Sequence, residues 1–191
     1  MKHAIYIVPA LLALAACGEP RATGPQLAGA ANAAETGSPA QSPAEARQQA
    51  FLDEAYRIHV FAIKTGEMAY QRSDDPQVRA LGLKAANEHK SWLNRLEQIA
   101  EKEEIRLDKR GTMLNGYHAE AMDELLLLEG DEFDRRFVAV EQEAQTRAKA
   151  WFAQSGGDPD LSPEFTDYSS SIQPVLGQLE TLAHSIGRSM A

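Results

Sequence analysis

A capping side chain stands directly before a proline at Ser42-Pro43, Asp75-Pro76, Asp158-Pro159 and Ser162-Pro163. Such pairs start helices, because the cap satisfies an orphan N–H and proline at the first helical position gives up an N–H that would have no partner. Ser42-Pro43-Ala44-Glu45 also has the form of a capping box. Behind it Phe51, Ala55, Ile58, Ala62, Thr65 and Ala69 recur every three or four positions, which predicts a first helix to about Arg72. Behind Asp75-Pro76 the stripe is Val78, Leu81, Ala85, Trp92, Leu96 and Ile99, and the helix is expected to reach about Glu104. At ~1.5 Å per residue each helix is about 40 Å long, and the short polar link between them forces an antiparallel hairpin.

Residues 105–112 break the periodicity around Gly111, and Asn115 to Leu128 form a shorter apolar segment with Met122 and Leu125-Leu126-Leu127-Leu128, ended by Gly130. Asp131 is expected to cap a third long helix with the stripe Phe133, Phe137, Val140, Ala144, Ala148 and Trp151, stopping at Gly156-Gly157. Asp158-Pro159 and Ser162-Pro163 then start the last helix, with Phe165, Tyr168, Ile172, Val175, Leu179, Leu182 and Ile186 at near-heptad spacing. Pro174 lies inside it and should kink it or delay its start. Four long amphipathic helices, one short extra helix before the third, and no strand pattern predict an all-α up-down four-helix bundle over residues 44–191. A 43% apolar content suffices for one core.

The N-terminus reads as an address. Lys2 precedes an apolar run from Ala4 to Leu14, too short for a mature span, which needs ~20 residues, and the right length for a signal peptide over 1–16. Leu14-Ala15-Ala16-Cys17 resembles the lipobox of bacterial lipoproteins, which implies covalent lipid on Cys17, the only cysteine. Lipid on Cys17 would attach the chain to a membrane, and Gly18 in second place resembles the signal for the outer membrane, facing the periplasm. Residues 17–43 are rich in Ala, Gly, Pro and Ser and are expected to form a tether. A coil of about 26 residues spans roughly 25–30 Å. The formal charge of −9 becomes one unit more negative when Lys2 is removed, which argues against nucleic acid as a partner.

The block Phe51 to Leu107 with Glu88-His89-Lys90 mid-helix, the run Gly130-Asp131-Glu132-Phe133-Asp134-Arg135-Arg136-Phe137, and the closing Pro174-Val175-Leu176 resemble the bacterial domain of unknown function 4142 family. The resemblance implies an exported, ferritin-like helical bundle and assigns no activity. Two further histidines expected from the family pattern are replaced here, one by Gln145 and one near Gln178-Leu179, so the resemblance carries over only His89.

Ferritin-like bundles often hold two metals through Glu-x-x-His pairs, and none occurs here: Tyr56, Ala86, Asn115 and Thr181 stand three residues before His59, His89, His118 and His184. His89 lies beside the buried stripe of the second helix and has two readings. One is a ligand or proton carrier paired with Glu67 or Glu141; the other is a core histidine satisfied by a Glu or by Gln145. Glu180 and His184, one turn apart, are a second weak metal candidate or a solvated pair. His59 and His118 have no convergent partner in the sequence. Acidic runs at Glu101–Glu104 and Glu120–Glu132 read as solvated faces, and Met113 and Met122 as core fillers rather than soft ligands. No nucleophile elbow or phosphate loop occurs, so no catalytic residue and no cofactor beyond the lipid are predicted. The expectation is a binding or structural envelope module; the alternatives are a divergent metal or redox bundle using His89, and a scaffold presenting Leu125–Leu128 to an envelope partner or a second copy.

Overall fold

The computed structural model describes residues 42–107, 109 and 114–191. The expected signal peptide, Cys17, the tether up to residue 41 and Met113 lie outside them. The described chain forms five helices: α1 (Pro43–Arg72), α2 (Pro76–Lys102), α3 (Gly116–Leu127), α4 (Gly130–Ser155) and α5 (Pro163–Ser189).

The capping chemistry explains most of the boundaries. Ser42 Oγ accepts from the Glu45 N–H at 3.2 Å, and the Glu45 carboxylate accepts from the Ser42 N–H at 2.6 Å, completing the capping box. Asp75 accepts from the N–H groups of Gln77 and Val78 at the start of α2. At the other end of α2 no glycine is available, and Glu104 takes the left-handed conformation at φ 56°. The Ile105 N–H then bonds the Ala100 carbonyl at 2.9 Å and the Glu104 N–H bonds Glu101 at 3.2 Å, with Ile105 packed on the core. That is a Schellman stop built without glycine.

Three boundaries differ from expectation. The helix α4 is capped at Glu129, not Asp131, and Gly130 opens it at φ 54° instead of closing α3, which ends at Leu127. Asp131 and Glu132 fall in its first turn, where their charge favours the helix dipole. The last helix starts at Ser162-Pro163 alone, since Asp158 instead forms a turn by accepting from the Asp160 N–H at 2.9 Å. The helix α5 also runs unbroken through Pro174, whose exposed position leaves the unpaired carbonyl of Ser170 to solvent. Leu176 and Ala183 are its fully buried positions where Val175 and Leu182 were expected, and these two are half-buried.

Two apolar clusters set the topology. One joins Phe51 and Leu52 of α1, Leu96 and Ile99 of α2, Phe152 of α4 and Phe165 of α5. The other joins Phe61 and Ala69 of α1, Val78 and Leu81 of α2, Leu125 of α3, Phe133 and Phe137 of α4, and Ile186 of α5. The end of α2 therefore lies level with the end of α4, so α2 and α4 run parallel and α1/α2 and α4/α5 are two hairpins. The long connection carrying α3 crosses from the foot of α2 to the head of α4, the single crossover typical of ferritin-like bundles. The α1/α2 contact is closest at two glycines: a Cβ on Gly66 would lie 2.5 Å from the Gly82 carbonyl oxygen.

Candidate functional site

Between the two apolar clusters lies a polar layer to which each long helix contributes. His59 of α1 and His89 of α2 face each other with Nδ1···Nδ1 at 2.9 Å. Their ring centroids are 5.1 Å apart, which is the N···N separation plus one ring radius at each end. The two nitrogens therefore point at one another along the line of centres, the geometry of one N–H···N hydrogen bond rather than of two lone pairs converging on a third atom. His59 Nε2 lies 2.5 Å from the Tyr168 hydroxyl of α5, and that hydroxyl donates to the Trp92 carbonyl at 3.1 Å. At the other end the Gln145 amide nitrogen of α4 lies 3.1 Å from His89 Nε2 and donates to Glu141 Oε1 at 2.8 Å.

One assignment of protons satisfies this chain. Because the Tyr168 proton goes to Trp92, its oxygen accepts from His59 Nε2–H. His59 Nδ1 then accepts from His89 Nδ1–H, and His89 Nε2 accepts from Gln145. Both imidazoles are neutral in this arrangement. Burial agrees: it pushes the His59 pKa well below its ordinary value, with His89 nearby lowering it further. Burial also lowers His89 to about 4. The side chains are sealed, with His59 and Glu141 at 0% exposure and His89 at 2%.

Glu141 is the costly member. Burial raises its pKa to about 7, with the Gln145 hydrogen bond pulling the other way. Its Oε2 and the Oε1 of Gln145 are buried acceptors with no hydrogen-bond partner among the described residues. Protonation converts Oε2 from an uncompensated charged acceptor into a hydroxyl, which is why the neutral form is favoured there.

The candidates named from the sequence distribute unevenly. His89 and Gln145 meet, as the core reading requires, while Glu141 reaches His89 only through Gln145. Glu67 is not at the site: it projects outward from α1 and pairs with Lys90 Nζ at 2.7 Å. Glu180 and His184 are not joined either, since Glu180 accepts from Lys149 and Thr146, both at 2.6 Å, while His184 faces Gln142 at 3.3 Å. His118 lies against Phe61, with ring centroids 4.7 Å apart and the planes tilted by 38°. Met122 packs on the second apolar cluster. The four-leucine patch is not presented as a unit, because Leu125 is fully buried and Leu128 half-buried, and only Leu126 and Leu127 are exposed, at 57% and 85%. Among the described residues no three His, Cys, Asp or Glu side chains converge as a metal-ligand set.

His59 and Tyr168 were missed as members of the layer. A signal was present: His59 and His89 are 30 residues apart with Asp74, in the turn, midway between them. In an antiparallel hairpin, positions equidistant from the turn lie level, and Gly66 and Gly82 obey the same register about Asp74. Tyr168 read only as an apolar stripe position, since spacing does not reveal a hydroxyl's partner.

Comparison with known proteins fits this fold. A DUF305 fragment from Deinococcus radiodurans aligns with a TM-score of 0.64 at 16% identity, over 78% of this chain and 98% of that one. CopM in its Cu(II)-bound form aligns with a TM-score of 0.58 at 15% identity, over 75% of this chain and 97% of that one. Identity this low shows the bundle alone. No curated protein matches the sequence. The family model described as "Domain of unknown function (DUF4142)" matches residues 33–182 and so takes in all of α1 to α4 and most of α5; the chain belongs to the DUF4142 family.

Proposed function

We propose that this protein is a lipid-anchored module of the bacterial cell envelope, acylated at Cys17 and held at the outer membrane facing the periplasm. Its DUF4142 bundle serves there as a non-catalytic binding or structural unit. The observation that carries the non-catalytic part is the proton order of the buried layer. Every ring nitrogen of His59 and His89 is engaged by another side chain of the bundle, and neither ring is open to solvent. A general base or nucleophile must reach its substrate; these imidazoles instead hold four helices in one register, a role in specifying a unique core. Support for the anchor comes from the sequence, Leu14-Ala15-Ala16-Cys17 followed by the Ala/Gly/Pro/Ser-rich stretch. Intact-mass analysis of the full-length chain expressed in a Gram-negative host tests it. The expected species begins at Cys17 and carries lipid, and Cys17→Ser releases the bundle from the membrane fraction. An unmodified wild-type chain recovered in the soluble fraction contradicts the anchor.

A second reading, a divergent metal or redox bundle, is favoured by one observation: two neutral imidazoles and a carboxylate gather at the bundle centre, and the neighbour CopM is described with bound Cu(II). It requires both rings to rotate so that their Nδ1 lone pairs converge. Elemental analysis of full-length protein purified without chelator separates the two. Stoichiometric metal that is lost in His89→Ala establishes the second reading and removes the first.

A further inference from the structure

Away from the buried layer, an open groove of about 420 Å³ runs between the solvent-facing sides of α4 and α5. Its floor is apolar, formed by Val138, Ala139, Gly187 and Met190. Val138 is buried, and Gly187 sets the depth: a Cβ there would lie 3.3 Å from Val138 Cγ1. The rim is basic, with Arg135 from α4 and Arg188 from α5, and His184 beside Gln142 at 3.3 Å.

These two arginines differ from most others in the described chain. Arg47, Arg57, Arg136 and Arg147 are tied to carboxylates, Arg72 and Arg79 to backbone carbonyls, and Arg95 lies over Trp92. Arg135 and Arg188 pair with no carboxylate among the described residues. No Asp or Glu side chain lines the groove, whose lining is completed by Ala191, the last residue of the sequence, although the chain as a whole has nine more acidic than basic side chains, a formal −9. Two free guanidinium groups over an apolar trough in an acidic protein are a local reversal of charge. They fit one ligand chemistry: an anionic head that takes charge-assisted hydrogen bonds from Arg, joined to an apolar body that lies on the floor. The volume is within the range of small-molecule sites, far below that of a protein interface, and Met190 supplies an adaptable wall.

We infer that the groove between α4 and α5 binds a single-chain anionic amphiphile, its phosphate or carboxylate between Arg135 and Arg188 and its alkyl chain along Val138, Ala139 and Gly187. The site is independent of the polar layer and of the anchor.

The test is calorimetric titration of the full chain with dodecyl phosphate below its micelle concentration. Dodecyltrimethylammonium, inorganic phosphate and anionic phospholipid vesicles serve as comparisons. The expected result is one saturable site for dodecyl phosphate, weakened about tenfold or more in Arg135→Ala/Arg188→Ala and lost in Ala139→Trp, which fills the trough from its exposed wall. Neither variant alters the core, and unchanged thermal melting shows that each is folded. Equal binding of the cationic amphiphile, equal binding of inorganic phosphate, no effect of the variants, or no binding at all overturns the proposal. Arginine-dependent binding of vesicles without binding of the monomeric amphiphile overturns it in favour of a membrane surface.

Discussion

Replacing Glu141 by Gln tests the buried layer through its pH dependence. The substitution keeps shape and the oxygen that accepts from Gln145, and removes the titrating group. Burial raises the folded-state pKa from 4.5 to about 7, so the folded chain holds a proton that the unfolded chain releases between these values. For a raised carboxyl pKa the sign is destabilising on the alkaline side: stability is fully present below pH 4.5 and is lost as pH rises to about 7. At ~1.4 kcal/mol per pH unit, ionised Glu141 costs the folded state about 3 kcal/mol at pH 8. The Gln variant is free of this penalty. Urea unfolding of both proteins at pH 5, 6, 7 and 8 should show the Gln variant gaining on the wild type by about 2–3 kcal/mol across the series. A difference that stays constant from pH 5 to 8 refutes the reasoning, because it means that Glu141 titrates alike folded and unfolded.

The histidines predict the opposite slope and a coupling. With His89 lowered to about 4 and His59 lowered as well, stability of the Glu141→Gln variant, which lacks the opposing carboxyl, should fall as pH drops from 6.5 towards 4, visible as a decreasing urea midpoint. At pH 7, His89→Leu should cost about 2–4 kcal/mol, since it leaves His59 Nδ1 and a Gln145 N–H buried without partners. His59→Leu/His89→Leu should cost less than the two single changes added together, measured by a double-mutant cycle. Gly66→Ala should destabilise by about 1–3 kcal/mol, because its Cβ meets the Gly82 carbonyl, whereas Gly177→Ala, with nothing within 4 Å, should stabilise by about 0.5–1 kcal/mol in thermal melts. Glu104→Gly should raise stability by about 1 kcal/mol, because it relieves a left-handed residue while keeping the Schellman bonds.

Helix existence was legible because it rests on local physics. The stripe Phe51, Ala55, Ile58, Ala62, Thr65 and Ala69 is buried throughout, and Ser42 and Asp75 cap as their side chains dictate. The start of α4 was not: it begins at Glu129-Gly130 through a glycine dihedral, which residue type only hints at. Pro174 did not interrupt α5, because tertiary packing of Ile172 and Leu176 outweighs one lost helical bond at an exposed position. The site was half legible. Periodicity put His89 on the buried face, and Gln145 was among its named partners. Glu67 lay within the wrong sector of α1, because a position one residue away from Gly66 turns by about 100° to the outside. His59 could have been placed opposite His89 from the hairpin register about Asp74, whereas Tyr168 required the height of α5 against that hairpin, which only the assembled bundle supplies.

The polar layer rests on two buried imidazoles that are neutral and bonded to each other. Nitrogen-detected NMR of the ¹⁵N-histidine-labelled chain tests this most directly. The prediction is one Nδ1–H ring, His89, and one Nε2–H ring, His59, with a scalar coupling across the shared hydrogen bond and both tautomers unchanged from pH 6 to 8. A protonated imidazolium at pH 7, the absence of the coupling, or displacement of both Nδ1 signals by one equivalent of copper or zinc would contradict it.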